Sequence, residues 1–165
     1  MEVTIKRLGP GDEPILELLA REDADFDLEG RGQPLEPLKP VMAQRYLANP
    51  AVLHWVAQEG EAIAGFLYCI HLPLRSGIGH EVLLYEIGVR ASYRRKGIGR
   101  ALIAQLERWM QANGAGVVWV SADNDVARDF YRACGFTVEG EQPVYLTREV
   151  ERVAKKMVST LLSPG

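Results

Sequence analysis

The sequence predicts a mixed α/β fold built around a mostly antiparallel sheet, with one parallel strand pair. Three observations carry this. Two apolar runs, 51–58 and 62–71, flank Glu59-Gly60-Glu61, the pattern of a hairpin. Residues 97–113 repeat apolar positions at the helical period between two further apolar runs, 82–89 and 117–120, and strands joined through a full helix lie parallel. The 165 residues, 47% apolar and 25% charged, suit a single domain over 1–165 that folds without staples.

Taken in order, 3–8 reads as a first strand, Gly9-Pro10-Gly11 as a turn and Asp12 as the cap of a short helix carrying Ile15, Leu16, Leu18 and Leu19. Residues 24–40, with Pro34, Pro37 and Pro40, read as a loop; 41–49 is helical and stops at Asn49-Pro50. The hairpin follows, then a Gly- and Pro-bearing loop over 72–79 and the strand 82–89. In the helix 97–113, Ile98, Leu102, Leu106, Trp109 and Met110 follow the 3.6-residue period, and Gly114 stops it. The short apolar run 117–120 reads as a buried strand. Asn124 or Asp125 can cap a helix that runs through Cys134 to Gly135. Two closing strands, 136–139 and 144–150, bring the sheet to about seven strands, flanked by helices. The tail, 150–163, is an amphipathic helix beyond that pattern, suited to core packing or to a homodimer contact.

Composition excludes several classes. No apolar run is long enough for a membrane span, and the first residues lack a basic-then-apolar leader, so a cytoplasmic location is expected. Cys69 and Cys134 have no CxxC partner, and His54, His71 and His80 lack metal-ligand spacing, so no metal is expected. Net charge is −3, but 12–29 holds eight carboxylates against Arg21 alone. No long basic face is left for nucleic acid. The acidic stretch is either a solvated face or an attractor for a cationic ligand.

The run Tyr93-Arg94-Arg95-Lys96-Gly97-Ile98-Gly99-Arg100 sits between a strand and the longest helix. A helix start offers free N–H groups and partial positive charge to an anion, and glycines let a phosphate approach them. Physics alone gives a phosphate or pyrophosphate site. A Walker loop would need GxxxxGK[ST], which is absent; a dinucleotide fingerprint would need a small residue where Leu102 stands. Gly88, inside an apolar strand, marks a bulge or a close backbone approach.

The spacing of Arg94, Gly97 and Gly99 resembles the coenzyme A signature of the GNAT superfamily of N-acetyltransferases. Upstream, Leu84-Tyr85-Glu86-Ile87-Gly88-Val89 looks like that family's central strand. Downstream, Asn124, Ala127, Phe130, Tyr131, Gly135 and Phe136 match its N-x-x-A-x-x-F-Y-x-x-x-G-F helix. The resemblance covers 50–140 well and 1–49 by element order only. It implies acetyl-CoA as cosubstrate, held between splayed parallel strands, with the pyrophosphate on backbone amides of Arg95, Lys96, Gly97, Ile98, Gly99 and Arg100. The pantetheine arm would pair with Ile87, Gly88 and Val89 as an added strand does. Arg94, Asn124, Ala127, Phe130 and Tyr131 complete the implied cofactor set.

The implied reaction is direct acetyl transfer to an amine in a ternary complex. Tyr131 stands where the family protonates the leaving thiolate, and a backbone N–H near Val89 is the implied oxyanion donor. For the base, Glu86 leads, Asp123 follows, and Glu81 is a bystander. Strict alternation puts Glu81 and Tyr85 on the face opposite Glu86. The acceptor is a small-molecule amine: Leu72-Pro73, Tyr85-Glu86 and Ser121-Ala122-Asp123 are similar to small aminoglycoside 3-N-acetyltransferases, and the acidic stretch suits a polycation. A protein or peptide amine is the alternative within the class; a non-catalytic acyl-CoA sensor and a nucleotide-phosphate binder are alternatives outside it.

Overall fold

A computed structural model describes residues 2–26, 35–75, 79–138, 140–141, 144–148 and 150. Residues 1–135 form one compact unit, and those from 136 onward form another. The first unit runs β1 (Thr4–Arg7), α1 (Glu13–Arg21), a 3-10 turn (Asp23–Phe26), α2 (Pro40–Ala48), β2 (Val52–Glu59), β3 (Ala62–Pro73) and β4 (His80–Val89). A second 3-10 turn (Ala91–Tyr93), α3 (Ile98–Asn113), β5 (Ala115–Trp119) and α4 (Asp125–Ala133) complete it.

The sheet has strand order β1-β2-β3-β4-β5; all pairs are antiparallel except β4–β5. The crossover through α3 is what makes that pair parallel. One face is covered by α3, whose Ile98, Leu102, Ile103, Leu106 and Met110 are buried. The other carries α1, the first 3-10 turn and α2, packed as Leu8, Leu19, Phe26, Leu47, Val56, Ile63 and Phe66. Phe26 meets Phe66 edge-on at 5.2 Å, an arrangement that adds about 1 kcal/mol beyond the area buried.

Two registers slip. Gln58 faces Ile63 but Ala57 faces Gly65, so β3 carries an extra residue at Ala64. Tyr68 faces Glu86 but Cys69 faces Leu84, so β4 carries an extra residue at Tyr85. Each slip reverses the alternation of side chains beyond it.

Three expectations change. Asp12 stands at the N-cap position of α1, but its carboxylate makes no cap bond: it turns back to accept the Gly9 N–H at 2.9 Å and pairs with Lys6. The strand expected at 117–120 is Ala115–Trp119, and it is an edge rather than a buried strand among the described residues, with Val117 52% exposed. The runs 136–138 and 144–148 form no strand, so the described sheet has five strands rather than about seven. Val144 and Leu146 stay 82% and 90% exposed, and a run that neither pairs nor buries a face cannot offset the entropy of ordering it. Apart from Val150, the tail helix and its dimer contact lie outside the described residues.

Candidate active site

Among the described residues β4 is paired on both sides only over His80–Leu83, where β5 runs beside it. From Leu84 to Val89 its ladder partner among them is β3 alone. Ile87, Gly88 and Val89 therefore present one backbone edge to the gap that opens toward α4. The slip at Tyr85 makes this geometry and also corrects a sequence expectation. Residues opposite one another in a ladder share a face. Glu86 faces Tyr68, Glu81 faces Leu72, and the Tyr85 and Tyr68 rings lie 5.4 Å apart. Glu81, Tyr85 and Glu86 thus share one face, because the bulge absorbs the residue that alternation would have turned away.

The loop after β4 is held from below by two arginines. Arg90 pairs with Glu22 and Asp25, donates to the Ile63 carbonyl at 2.9 Å, and lies 5.3 Å over the Phe26 ring. Arg94 donates to the carbonyl oxygens of Val89 and Phe26 at 3.2 and 2.9 Å. These bonds make the signature arginine a strut between β4 and the first 3-10 turn.

Above the struts the backbone takes an unusual path. Arg95 has φ of 63°, in the left-handed region that a bulky residue adopts at a cost of about 1–2 kcal/mol, and Gly97 has φ of 81°. α3 then begins with Gly97 at its cap position, which has no side chain to bond the first-turn amides. A glycine-capped helix start behind a left-handed residue gathers N–H donors into a concavity that suits an anion. The diphosphate of acetyl-CoA fits that donor set. Lys96 rests its ammonium 5.0 Å over the Tyr93 ring, and Arg95 and Arg100 are exposed beside it.

Two glycines have packing reasons that the sequence did not disclose. A Cβ on Gly99 would stand 3.0 Å from the Phe130 ring, so this glycine lets α4 close on α3. A Cβ on Gly88 would stand 2.6 Å from the Phe66 ring. Gly88 is not the bulge; it is buried because Phe66 occupies its side-chain space.

Asn124 caps α4, its side-chain oxygen accepting the Ala127 N–H at 2.8 Å. That cap aims the following turn and sets Tyr131, buried at 8% exposure, toward Cys69 and Asp123. Burial, then the neighbouring Cys69 thiol and Asp123 carboxyl, push the Tyr131 hydroxyl up to about 12. It holds its proton across the physiological range and can donate it. Asp123 thereby joins Tyr131, whereas Glu86 lies with Tyr68 and Tyr85 on the α2 face of the sheet.

The acidic stretch is less open than its composition implies. Asp12 pairs with Lys6, Glu17 with Arg21, and Glu22 and Asp25 with Arg90. Asp23 is buried, and Asp27 and Glu29 lie outside the described residues. Sequence reading also missed a group: Tyr46, His54 and Tyr68 cluster on the α2 face, with the Tyr46 hydroxyl 3.0 Å from His54 Nδ1. No local pattern reveals it, because the Ala64 slip decides that His54 faces Tyr68.

Among the described residues no cluster of three metal-ligating side chains occurs, and no helix is long and apolar enough to cross a membrane.

Comparison with known proteins gives a consistent picture. The chain is 33% identical over 121 residues to the N-alpha-acetyltransferase RimI of Mycobacterium tuberculosis, covering 72% of this chain and 70% of that one. It is 37% identical over 98 residues to the 5-NmdU N-acetyltransferase of Pseudomonas phage PaMx11, covering 56% and 62%. Its fold matches an aminoglycoside acetyltransferase from an uncultured soil metagenomic sample, solved with sisomicin, at a TM-score of 0.75 and 26% identity over 90% of this chain and 97% of that one. Residues 16–136 match the acetyltransferase (GNAT) family. The chain belongs to that family and is an acetyl-CoA-dependent N-acetyltransferase.

Proposed function

We propose that the chain moves acetyl from acetyl-CoA directly onto a primary amine in a ternary complex. The observation that carries the cofactor half is the glycine-capped start of α3 at Gly97 behind the left-handed Arg95, next to the half-paired end of β4. Backbone amides of residues 95–100 hold the diphosphate, and the open edge of Ile87–Val89 takes the pantetheine arm as a further strand.

In the chemistry, the ammonium loses its proton to Glu86 directly or through water. The amine lone pair then bonds to the acetyl carbonyl carbon, with a backbone N–H near Val89 supporting the oxyanion. The C–S bond breaks as the tetrahedral centre collapses, the thiolate takes the Tyr131 hydroxyl proton, and the second proton lost by the acetylated nitrogen restores Tyr131 through solvent. Asp123, beside Tyr131, is the second candidate for the base.

For the acceptor, we favour the α-amine of a peptide or protein. Most carboxylates of the described acidic stretch are tied to Lys6, Arg21 and Arg90, which weakens the case for a polycation. The N-alpha-acetyltransferase relative points the same way. An aminoglycoside is the second reading, favoured by the fold match over 90% of the chain to an enzyme solved with sisomicin.

Acetyl incorporation from labelled acetyl-CoA into peptides with free N-termini, sisomicin and spermidine separates these acceptors. Turnover on sisomicin alone would remove the peptide reading, and binding of acetyl-CoA without turnover on any amine would favour a sensor. With the true acceptor, an unchanged kcat for Glu86→Gln across pH 6–9 would remove Glu86 as base.

A further inference from the structure

The α2 face of the sheet carries a group of aromatic side chains that the reaction above does not use. Tyr46 of α2 and Tyr68 of β3 have ring centroids 5.7 Å apart, and Tyr68 and Tyr85 of β4 are 5.4 Å apart, both pairs tilted rather than stacked. Tyr85 is 60% exposed, so the row runs from the interior to the surface. Glu86 shares that face, because the bulge at Tyr85 turns both residues the same way.

Behind the row stands His54, 7% exposed and ringed by Tyr46, Phe66 and Tyr68. Its Nδ1 meets the Tyr46 hydroxyl at 3.0 Å, while its Nε2 has no hydrogen-bond partner. Tyr46 is also hydrogen-bonded to Tyr68. His54, Tyr46 and Tyr68 are thus linked in one chain that holds both phenol rings by their hydroxyls.

Ring faces carry negative charge density, and a cation over several rings gains most when it is partly desolvated. A carboxylate alongside adds to that preference. We propose that Tyr46, Tyr68 and Tyr85 form an aromatic wall that receives the ammonium or alkylammonium group of the acceptor next to Glu86, with His54 as the positioning residue that holds the wall. The inference rests on the N-acetyl-transfer reading, and it names what that site recognises in the acceptor: the ammonium group itself.

The test uses the whole protein and a cation that cannot be acetylated on nitrogen. Choline and its uncharged isostere 3,3-dimethyl-1-butanol are titrated calorimetrically, with no turnover required. Choline should bind about tenfold more tightly than the neutral compound. Tyr85→Leu should weaken choline by about five- to tenfold, while Tyr85→Phe, which keeps the ring, should retain it. His54→Phe should weaken choline about threefold, and His54→Asn, which restores a hydrogen-bonding group near the Nδ1 position, should recover it. The exposure of Tyr85 makes its variants safe for folding, so they decide the matter if a His54 variant is unstable. Equal affinity for the two compounds, survival of choline binding in Tyr85→Leu, or equal loss in Tyr85→Phe and Tyr85→Leu overturns the wall. Choline binding as described in a protein that acetylates no amine would leave the wall standing and remove the transfer reading instead.

Discussion

The guanidinium of Arg94 donates to the carbonyl oxygen of Phe26 at 2.9 Å, although 68 residues separate them. With its second bond to Val89, it ties the loop before α3 to a turn on the other face of the sheet. Charge-assisted bonds to carbonyl oxygens contribute about 1.5–3 kcal/mol each when protected from water, and less where the group is exposed as here. Arg94→Ala should lower unfolding stability by about 1–3 kcal/mol in urea titration, and Arg94→Lys should recover little, since a single ammonium does not reproduce the two-pronged reach.

Gly97 and Arg95 divide the phosphate loop between backbone and charge. A Cβ built on Gly97 meets nothing within 4 Å apart from its chain neighbours, so the main effects of Gly97→Val are to strain the φ of 81° and to stand in the path of a ligand. Acetyl-CoA binding measured calorimetrically should weaken about tenfold or more in Gly97→Val and less than about fivefold in Arg95→Ala. The reverse order would mean that side-chain charge, rather than the helix start, makes the site.

Gly88 and Phe66 should couple. Gly88→Ala places a Cβ 2.6 Å from Phe66 Cε1 and 3.3 Å from Phe26 Cβ. Overpacking of this kind destabilises by about 1–3 kcal/mol. Phe66→Leu in the same chain should return part of that loss, so that the double mutant is more stable than the sum of the single changes predicts.

His54 gives a pH signature to folding. Burial lowers it from 6.5 to about 4, so the native state holds it neutral. Between those values the unfolded chain binds the proton and the native one does not, so stability is complete above about 6.5 and falls as the pH drops toward 4. The loss across that window is about 3 kcal/mol. Urea midpoints from pH 4 to 7 should flatten in His54→Asn, and an unchanged slope would show that other groups set the acid response.

Tyr131 should act as a donor over a wide range. Its hydroxyl, raised to about 12, stays protonated at pH 9. Tyr131→Phe should cut kcat by about 10²–10³ while leaving acetyl-CoA affinity within about twofold. An equal kcat would leave Tyr131 as a packing residue of α4.

The elements legible in the sequence are those whose causes are local. The helical period of Ile98, Leu102, Leu106 and Met110, the Gly60 hairpin and the Asn124 cap on Ala127 each involve residues within a few positions of one another, and each is present. The parallel β4–β5 pair also follows from chain order alone, since a helix of sixteen residues lies between the two strands.

Only the tertiary structure decided the two register slips, and with them the composition of the α2 face. Continuing the pairing of Glu59 with Ala62 without a slip would set His54 against Leu67; the extra residue at Ala64 sets it against Tyr68. The slip at Tyr85 likewise moves Glu86 onto the face of Tyr68. A bulge is chosen by which side chains are buried once helices have docked on both faces, as Phe66 against Phe26 and Gly88 shows. The same holds for Arg90 with Glu22 and Asp25, and for Arg94 with Phe26. Their partners lie far along the chain, so their energies appear only when the sheet has brought them together. By itself the sequence determined the order and type of the strands and α-helices through residue 133, because period, turn and cap are short-range. The folded sheet determined which side chains meet, because register and burial are long-range.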